Sequence, residues 1–301
     1  MHQHSNQPSI AQTLATLQAQ GLERLDAQLL LLHAMNKDPH ERAWLLAHDT
    51  DLIDAAVLAG LSRSVKRRAA GQPLAYITGH QEFFGLDFSV DERVLVPRAD
   101  TETLVEWALE LLPRSLGAGW AEGLLDLGTG SGAVALAIKH TRPDLRVTAL
   151  DISTDALAVA RINAQRLQLD VHFQLGAWLA GVLGRFQIIV SNPPYIAEHD
   201  RHLIALGFEP LAALVSGDDG LDDIRQIVTQ ARSHLHPGGW LLLEHGYDQA
   251  ALVRDLLLTQ GFDNVQSRPD LSGIERCSGG RAASADPVSS RETLPSSIVF
   301  G

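Results

Sequence analysis

The sequence is poor in the residues that would tie it to an oxidising compartment, a membrane or a polyanion. It has one cysteine, Cys277, in 301 residues. No intrachain disulfide can form, and no cysteine-built zinc site can be assembled. A reducing, cytoplasmic compartment is the expectation that follows. The first residues, "MHQHSNQPS", lack the basic and apolar regions of a signal peptide. The nearby apolar run Leu29–Met35 is far too short to span a bilayer. Basic side chains are also in deficit, with 24 Lys and Arg against 36 Asp and Glu, for a net charge of −12. A protein that grips nucleic acid by neutralising phosphates carries the opposite balance. A small molecule or another protein is therefore the expected partner, with no direct nucleic-acid contact and no membrane.

What is present describes a folded chain of two parts. The hydrophobic content of 45% fits a soluble core. Residues 8 to about 70 read as helices, with Leu14, Leu17, Leu22, Leu25, Leu29 and Leu32 at helical spacing. Breaks are expected at Gly21, at Asp38-Pro39 and near Gly60. The basic stretch "RSVKRRAAGQP" reads as a solvated helix end. "EFFGLDFSVDERVLV" then alternates apolar and polar residues around Gly85, which predicts a β-hairpin linker. "PRADTETLVEWALELL" starts a helix, with Asp100 or Thr101 as its N-cap. From residue 123 to about 268, six short apolar strands alternate with helices, the pattern of a doubly wound α/β domain with a largely parallel sheet. The expected division is 1–72 helical domain, 73–97 hairpin linker, 98–281 α/β domain and 282–301 Ser/Pro-rich flexible tail. A monomer is expected.

Three stretches carry chemistry. "LLDLGTGSGAVALAIKH" puts Gly128, Thr129, Gly130, Ser131 and Gly132 between the first strand of that domain and its helix. Such a loop lets backbone approach a ligand at a helix N-terminus. It lacks the Gly-Lys-Ser/Thr ending of a phosphate-binding loop and the complete G-x-G-x-x-G of dinucleotide folds. Asp151 follows the second strand, nineteen positions past Gly132. Ligands of open α/β sheets bind at the carboxyl ends of strands. An acid there can hold both ribose hydroxyls of a nucleoside; the alternative is a helix N-cap. The third stretch is "SNPPYI", directly after the apolar "FQIIV". Proline fixes φ and donates nothing, so Pro193 and Pro194 make a stiff exit with carbonyl acceptors, beside the Asn192 amide and the Tyr195 ring. Alone, the segment reads equally as a strand-ending turn.

Together, "DLGTGSG", the later acid and "NPPY" resemble S-adenosylmethionine-dependent methyltransferases that act on planar nitrogen. "QPLAYITGHQEFFGLDFSVDERVLVPRADTE", "GFEPLAALVSGDDGL", "LLLEHG" and "DLSGIER" narrow the resemblance to the HemK/PrmC family. That family methylates the glutamine of the Gly-Gly-Gln motif in peptide chain release factors. The resemblance implies a Rossmann-like methyltransferase domain, S-adenosyl-L-methionine as cofactor and release factors as protein substrates. It places Gly128 to Gly132 under the methionine part, Asp151 on the ribose, Trp178 beside the adenine and Asn192 near both cofactor and substrate. Asn192 and the Pro193 carbonyl would hold the two N–H groups of the target amide, Pro194 would keep that exit rigid, and Tyr195 would pack on the amide plane. The nitrogen would then meet the methyl group in line, without a strong base. The family's acid before the tryptophan is replaced by Ala177, and Trp178 reads alternatively as core. Arg98, Asp100, Glu102 and Phe208-Glu209-Pro210 match family elements near the site. His234 and His236 fall on different faces of a predicted helix and read as solvated, so no metal is expected. A glutamine methyltransferase of ribosomal proteins and an amino-methyltransferase of DNA or RNA bases share parts of the pattern.

Overall fold

The computed structural model describes residues 7–113 and 123–283. Helices α1 (Ile10–Ala19), α2 (Arg24–Ala34), α3 (Arg42–Ala47) and α4 (Ala55–Ala69) form the first layer. Ser9 and Gln12 cap α1 reciprocally through side chain and backbone. The buried seam of α2 runs through Leu30, Leu31 and Leu32, and Leu25 is exposed. Gly60 does not break the chain: it lies inside α4, where a lone glycine costs only about 1 kcal/mol and packing overrides it. The chain turns at Gly71, before Pro73. The basic end of α4 is not simply solvated. Arg68 donates to Asp26 on α2 at 2.6 Å, and Arg67 donates to Gln72 at 2.8 Å.

The linker expected over 73–97 begins with a short helix, α5 (Leu74–Thr78), that the alternation of "EFFGLDFSV" does not reveal. Ile77 packs into the helical layer, while Ala75 and Tyr76 pack into the core of the α/β part. Strands β1 (His80–Phe83) and β2 (Leu86–Ser89) then pair antiparallel. The buried Asn163 docks this hairpin. Its Oδ1 accepts from the Ser89 N–H at 2.8 Å, and its Nδ2 donates to the Ser89 and Ser131 carbonyls at 3.0 and 2.9 Å. One amide thus connects the linker to the glycine loop.

The α/β part comprises α6 (Glu102–Leu111), β3 (Leu124–Leu127), α7 (Ala133–Thr141), β4 (Val147–Asp151), α8 (Thr154–Leu167), β5 (His172–Leu175), β6 (Phe186–Ser191), α9 (Asp222–Ala231), β7 (Leu235–Glu244), α10 (Ala250–Thr259), β8 (Phe262–Pro269) and β9 (Glu275–Ala282). The sheet order is β5-β4-β3-β6-β7-β9-β8, parallel except for β9, which runs antiparallel to both neighbours. Trp107, Val134 and Val159 fill one face of the sheet, and Ile224, Val253 and Leu257 fill the other. Strand order reverses at β3, between β4 and β6, and an open α/β sheet leaves its ligand crevice at such a point.

Three expectations change here. The sheet has a seventh strand, β9, whose sequence "ERCSGGRA" shows no apolar run. Its glycines read as breakers but serve close packing. A Cβ on Gly279 would lie 2.6 Å from the Leu242 side chain and 2.9 Å from the Trp107 ring. Arg281 and Ala282 end that strand, with Ala282 buried, so residue 282 belongs to the sheet and not to the expected tail; residues 284–301 of that tail lie outside the described residues. His234 ends a 3-10 turn and His236 lies on β7, so the two histidines do not share a helix.

Candidate active site

The carboxyl ends of β3, β4 and β6 open into a cavity of ≈ 350 Å³. The glycine loop after β3 forms its floor. Gly128, Thr129, Gly130 and Ser131 line it, but Gly132 does not. Gly132 serves packing instead: a Cβ there would lie 2.9 Å from Leu136 and 3.3 Å from Ala160, so only glycine lets α7 and α8 approach. Beneath the loop, the Thr129 hydroxyl donates to Asp126 at 2.6 Å. Burial pushes the Asp126 carboxyl up to about 7, against that hydrogen bond.

Asp151 ends β4 and lines the cavity. It is not the N-cap of α8; Ser153 takes that role, accepting from the Ala156 N–H at 3.1 Å. The Asp151 carboxylate accepts backbone N–H groups on both oxygens, from Gly130 at 2.8 Å and from Ser153 at 2.9 Å. A carboxylate has about four lone-pair sites, so acceptor capacity remains for hydroxyls of a ligand. Burial raises this carboxyl, and the backbone donors of Ser153, Gly130 and Ile152 oppose that.

Trp178 belongs both to the core and to the cavity wall. It is half-buried against the core of the α9 face, lines the cavity, and lies over Gly128, whose added Cβ would meet its ring at 3.4 Å. Its Nε1–H donates to Asp223 at 3.0 Å. Ala177 and Asp223 line the cavity as well, so an acid from the first turn of α9 reaches it where Ala177 offers none.

The segment after β6 divides. Asn192 and Pro194 line the cavity. Pro193 is buried and Tyr195 is not among the lining residues. The Tyr195 ring packs toward the α9 face, and its hydroxyl donates to Glu244 at 3.4 Å. The expected stacking of Tyr195 on a substrate amide is therefore not what this arrangement displays: the buried acid draws its hydroxyl inward. Asn192 Nδ2 donates to Thr101 Oγ1 at 3.1 Å. Thr101 holds the N-cap position of α6, one of the two expected, but its side chain makes no capping hydrogen bond there. Asp100 pairs with Arg276 at 3.3 Å, and Glu102 accepts from the Phe84 N–H at 3.0 Å.

The lip of the cavity is stapled by Glu209, whose carboxylate is almost fully buried. It accepts from the Val96 N–H at 3.1 Å and pairs with Arg98. Pro210 and Arg98 line the cavity, while Phe208 is half exposed. Among the described residues, one group has atoms close enough to share a metal, Glu198, His199 and Asp218, all exposed. Neither His234 nor His236 belongs to it. No helix among the described residues is long and apolar enough to cross a membrane.

Sequence reasoning missed Thr101, Asp223 and Glu244 as site residues. Glu244 had a signal, an acid closing the apolar run "WLLLE". Thr101 and Asp223 had none, because their partners lie 91 and 45 positions away.

Comparison with known proteins gives the same outline. Residues 102–208 match the methyltransferase small domain, and residues 10–79 match the PrmC N-terminal domain. A release factor glutamine methyltransferase of Burkholderia pseudomallei is 48% identical over 290 residues, covering 92% of this chain and 99% of the relative. One from Xylella fastidiosa is 48% identical over 264 residues, covering 86% of this chain and 94% of the relative. Among solved structures, a methyltransferase from Pyrococcus furiosus aligns with a TM-score of 0.51 at 22% identity, covering 74% of this chain and 99% of that one. This last likeness concerns the fold.

Proposed function

The chain belongs to the family of release factor glutamine methyltransferases, and on that premise we propose that it transfers a methyl group from S-adenosyl-L-methionine to the side-chain amide nitrogen of the glutamine in the Gly-Gly-Gln motif of peptide chain release factors. One observation carries the reading. The glycine loop, Asp151 and Asn192, read from three separate stretches, converge on one cavity at the strand reversal.

The cavity fits the cofactor. Its ≈ 350 Å³ lies within the range of about 300–1,000 Å³ usual for small-molecule sites. Gly128, Thr129, Gly130 and Ser131 offer backbone without bulk, Asp151 has spare acceptor sites for ribose hydroxyls, and Trp178 supplies a flat apolar wall. Bound there, S-adenosylmethionine supplies an electrophilic methyl on a sulfonium.

The remaining work is positioning. An amide nitrogen is a poor nucleophile because its lone pair is delocalised into the carbonyl. Asn192 turns one N–H of its Nδ2 to Thr101, and its Oδ1 is the end that can accept an N–H of the target glutamine. Pro193 and Pro194 keep the strand exit stiff, so that acceptor is held before the substrate arrives. The nitrogen grows more acidic as it is alkylated, so its proton leaves without a dedicated strong base.

A protein substrate needs more surface than one glutamine, and the helices of residues 10–69 stand as the candidate for it. The relatives bear on the choice between release factors and the ribosomal-protein and nucleic-acid alternatives: both carry the release factor name. The test is methyl transfer to a purified release factor, with mass spectrometry of the modified residue. Transfer to the Gly-Gly-Gln glutamine is the expected result; its absence, with a ribosomal protein or nucleic acid methylated instead, rejects the reading.

A further inference from the structure

Two successive prolines leave the exit from β6 without backbone donors at Pro193 and Pro194, so its own N–H groups cannot tie it down between Asn192 and Tyr195. The near end is held by the Ser191 hydroxyl, which donates to the Leu127 carbonyl at 2.8 Å, and by Asn192 Nδ2 on Thr101 at 3.1 Å. The far end is held by Gln249, 54 positions along the chain from Tyr195.

Gln249 lies between β7 and α10 and is only 7% exposed. Its Nε2 donates to the Tyr195 carbonyl at 3.1 Å and to the Asp219 and Gly220 carbonyls at 3.3 and 3.4 Å. Its Oε1 accepts from the Gly246 N–H at 2.8 Å. A flipped amide would set oxygen against three carbonyls and its NH₂ against an N–H, so the orientation is fixed. Packing enforces the same contact. Gly220 has a φ of 77°, and a Cβ there would lie 2.2 Å from the Tyr195 carbonyl oxygen and 2.8 Å from Gln249 Nε2. Only glycine leaves room for the tie.

Helix capping does not account for this side chain. Gln249 holds the N-cap position of α10, but its side chain makes no capping hydrogen bond there. Closing the turn after β7 needs the Oε1 contact alone; the Nε2 contacts reach two other segments. One is the segment that bears Asn192. The other is the Asp219-Gly220 turn, which leads into α9, where Asp223 holds Trp178.

We propose that Gln249 is a positioning residue for methyl transfer: by holding the Tyr195 carbonyl it fixes the far end of the segment from Asn192 to Tyr195, so that the Asn192 amide and the Pro193 carbonyl are set before the target glutamine arrives. The proposal rests on the methyl-transfer reading above. Gln249 does not line the cavity and acts through the backbone it holds. Only two residues separate Asn192 from Tyr195, both with φ fixed by a ring, so a displaced Tyr195 carbonyl carries both acceptors with it. A misplacement of about 1 Å set up by a remote residue can cost on the order of 10²-fold in rate. That loss falls on kcat.

The experiment measures kcat and KM for a purified release factor, S-adenosylhomocysteine affinity and melting temperature in wild type, Gln249→Met, Gln249→Asn and Val253→Ala. Gln249→Met keeps the length and loses the donors, Gln249→Asn keeps an amide one methylene shorter, and Val253→Ala removes buried packing from the same helix. Gln249→Met is expected to lower kcat about 10–100-fold, with KM and S-adenosylhomocysteine affinity within about threefold, and Gln249→Asn to fall between it and wild type. Val253→Ala is expected to lose at least as much melting temperature and to keep kcat within about twofold. A Gln249→Met enzyme within about twofold of the wild-type kcat, or an equal kcat loss in Val253→Ala, overturns the proposal. Hydrogen exchange of the Gln249 side-chain N–H groups in wild type needs no variant: protection like that of the β6 amides is expected, and exchange as fast as that of an exposed amide overturns the tie. If wild type transfers no methyl, the NMR signals of the Asn192 side-chain amide decide. Signals that shift or broaden in Gln249→Asn uphold the positioning and remove only the functional reading; unchanged signals remove both.

Discussion

The indole N–H of Trp178, at the end of the β5 connection, donates to the Asp223 carboxylate in the first turn of α9 at 3.0 Å. Trp178 has a positive φ of 48°, a conformation that a bulky residue holds only when its surroundings over-determine it. Asp223 is one such constraint, and it keeps the ring over Gly128. Asp223→Ala is expected to weaken S-adenosylhomocysteine binding about 3–10-fold, the loss of one hydrogen bond at about 0.5–1.5 kcal/mol. Calorimetric titration reads this directly. Unchanged affinity means that core packing alone holds the tryptophan.

On the proposed reading, Asp151→Ala is expected to cost more than about tenfold in cofactor affinity, because the ribose contacts proposed for it and the anchor of the Gly130 N–H are lost together. Asp151→Asn, which keeps one acceptor, should fall between. A melting curve beside each titration separates a disturbed loop from a lost ligand contact. An Asp151→Ala protein with wild-type affinity removes the acid from the binding site.

Asn192→Ala takes away the acceptor and leaves Pro193 and Pro194 in place. The expected drop in kcat is about 10²–10³, the scale for one preorganised hydrogen-bonding group, with a modest loss of cofactor affinity. Asn192→Asp keeps an acceptor but adds negative charge where a sulfonium would lie. It should bind S-adenosylmethionine at least as well as wild type and still transfer poorly. A wild-type rate in Asn192→Ala would return "SNPPYI" to a plain strand-ending turn.

The buried Asp126 predicts a particular pH dependence of stability. Its folded pKa, about 7, lies above the unfolded value near 4, so between these the native state binds the extra proton. Its stabilising effect is present at the acid end of that window and is lost as pH rises through about 7. Asp126→Asn removes this contribution. Its melting temperature should therefore fall less than that of wild type between about pH 5 and pH 8, up to about 1.4 kcal/mol per pH unit of slope. Parallel curves for the two proteins would show that Asp126 is ionised throughout.

The boundary of the C-terminal segment is set by β9. Its insertion between β7 and β8 makes it part of the sheet, so a chain ended at Ile274 is expected to lose cooperative unfolding. A chain ended at Ala283 should melt and transfer like the whole protein, since the removed stretch is Ser/Pro-rich and has little apolar surface to bury. A lower melting temperature for the longer truncate would show that the last residues contribute to the fold.

Much of the fold follows from signals carried by neighbouring residues. Alternating apolar strands and helices, a Gly-rich turn after β3 and two prolines after β6 act through local backbone conformation, so adjacent residues suffice to read them. The same locality explains the errors. Gly60 has the look of a helix end and Gly279-Gly280 of a strand breaker, but one position is held helical by packing and the other two are small because Trp107, Leu242 and Phe262 press on them.

The candidate site divides along the same line. Gly128 to Ser131, Asp151 and Asn192 are legible from the sequence because each sits at a strand end, and every strand end of a parallel sheet opens toward the same crevice. Which side chains stand behind them is decided elsewhere. Asn192 meets Thr101, Trp178 meets Asp223, Arg98 meets Glu209, and Asn192 leaves the sheet beside Glu244. Those pairings depend on strand order and on the register of β6 against β7. Both are settled only when the apolar faces of the sheet are buried together, and no stretch of consecutive residues records them.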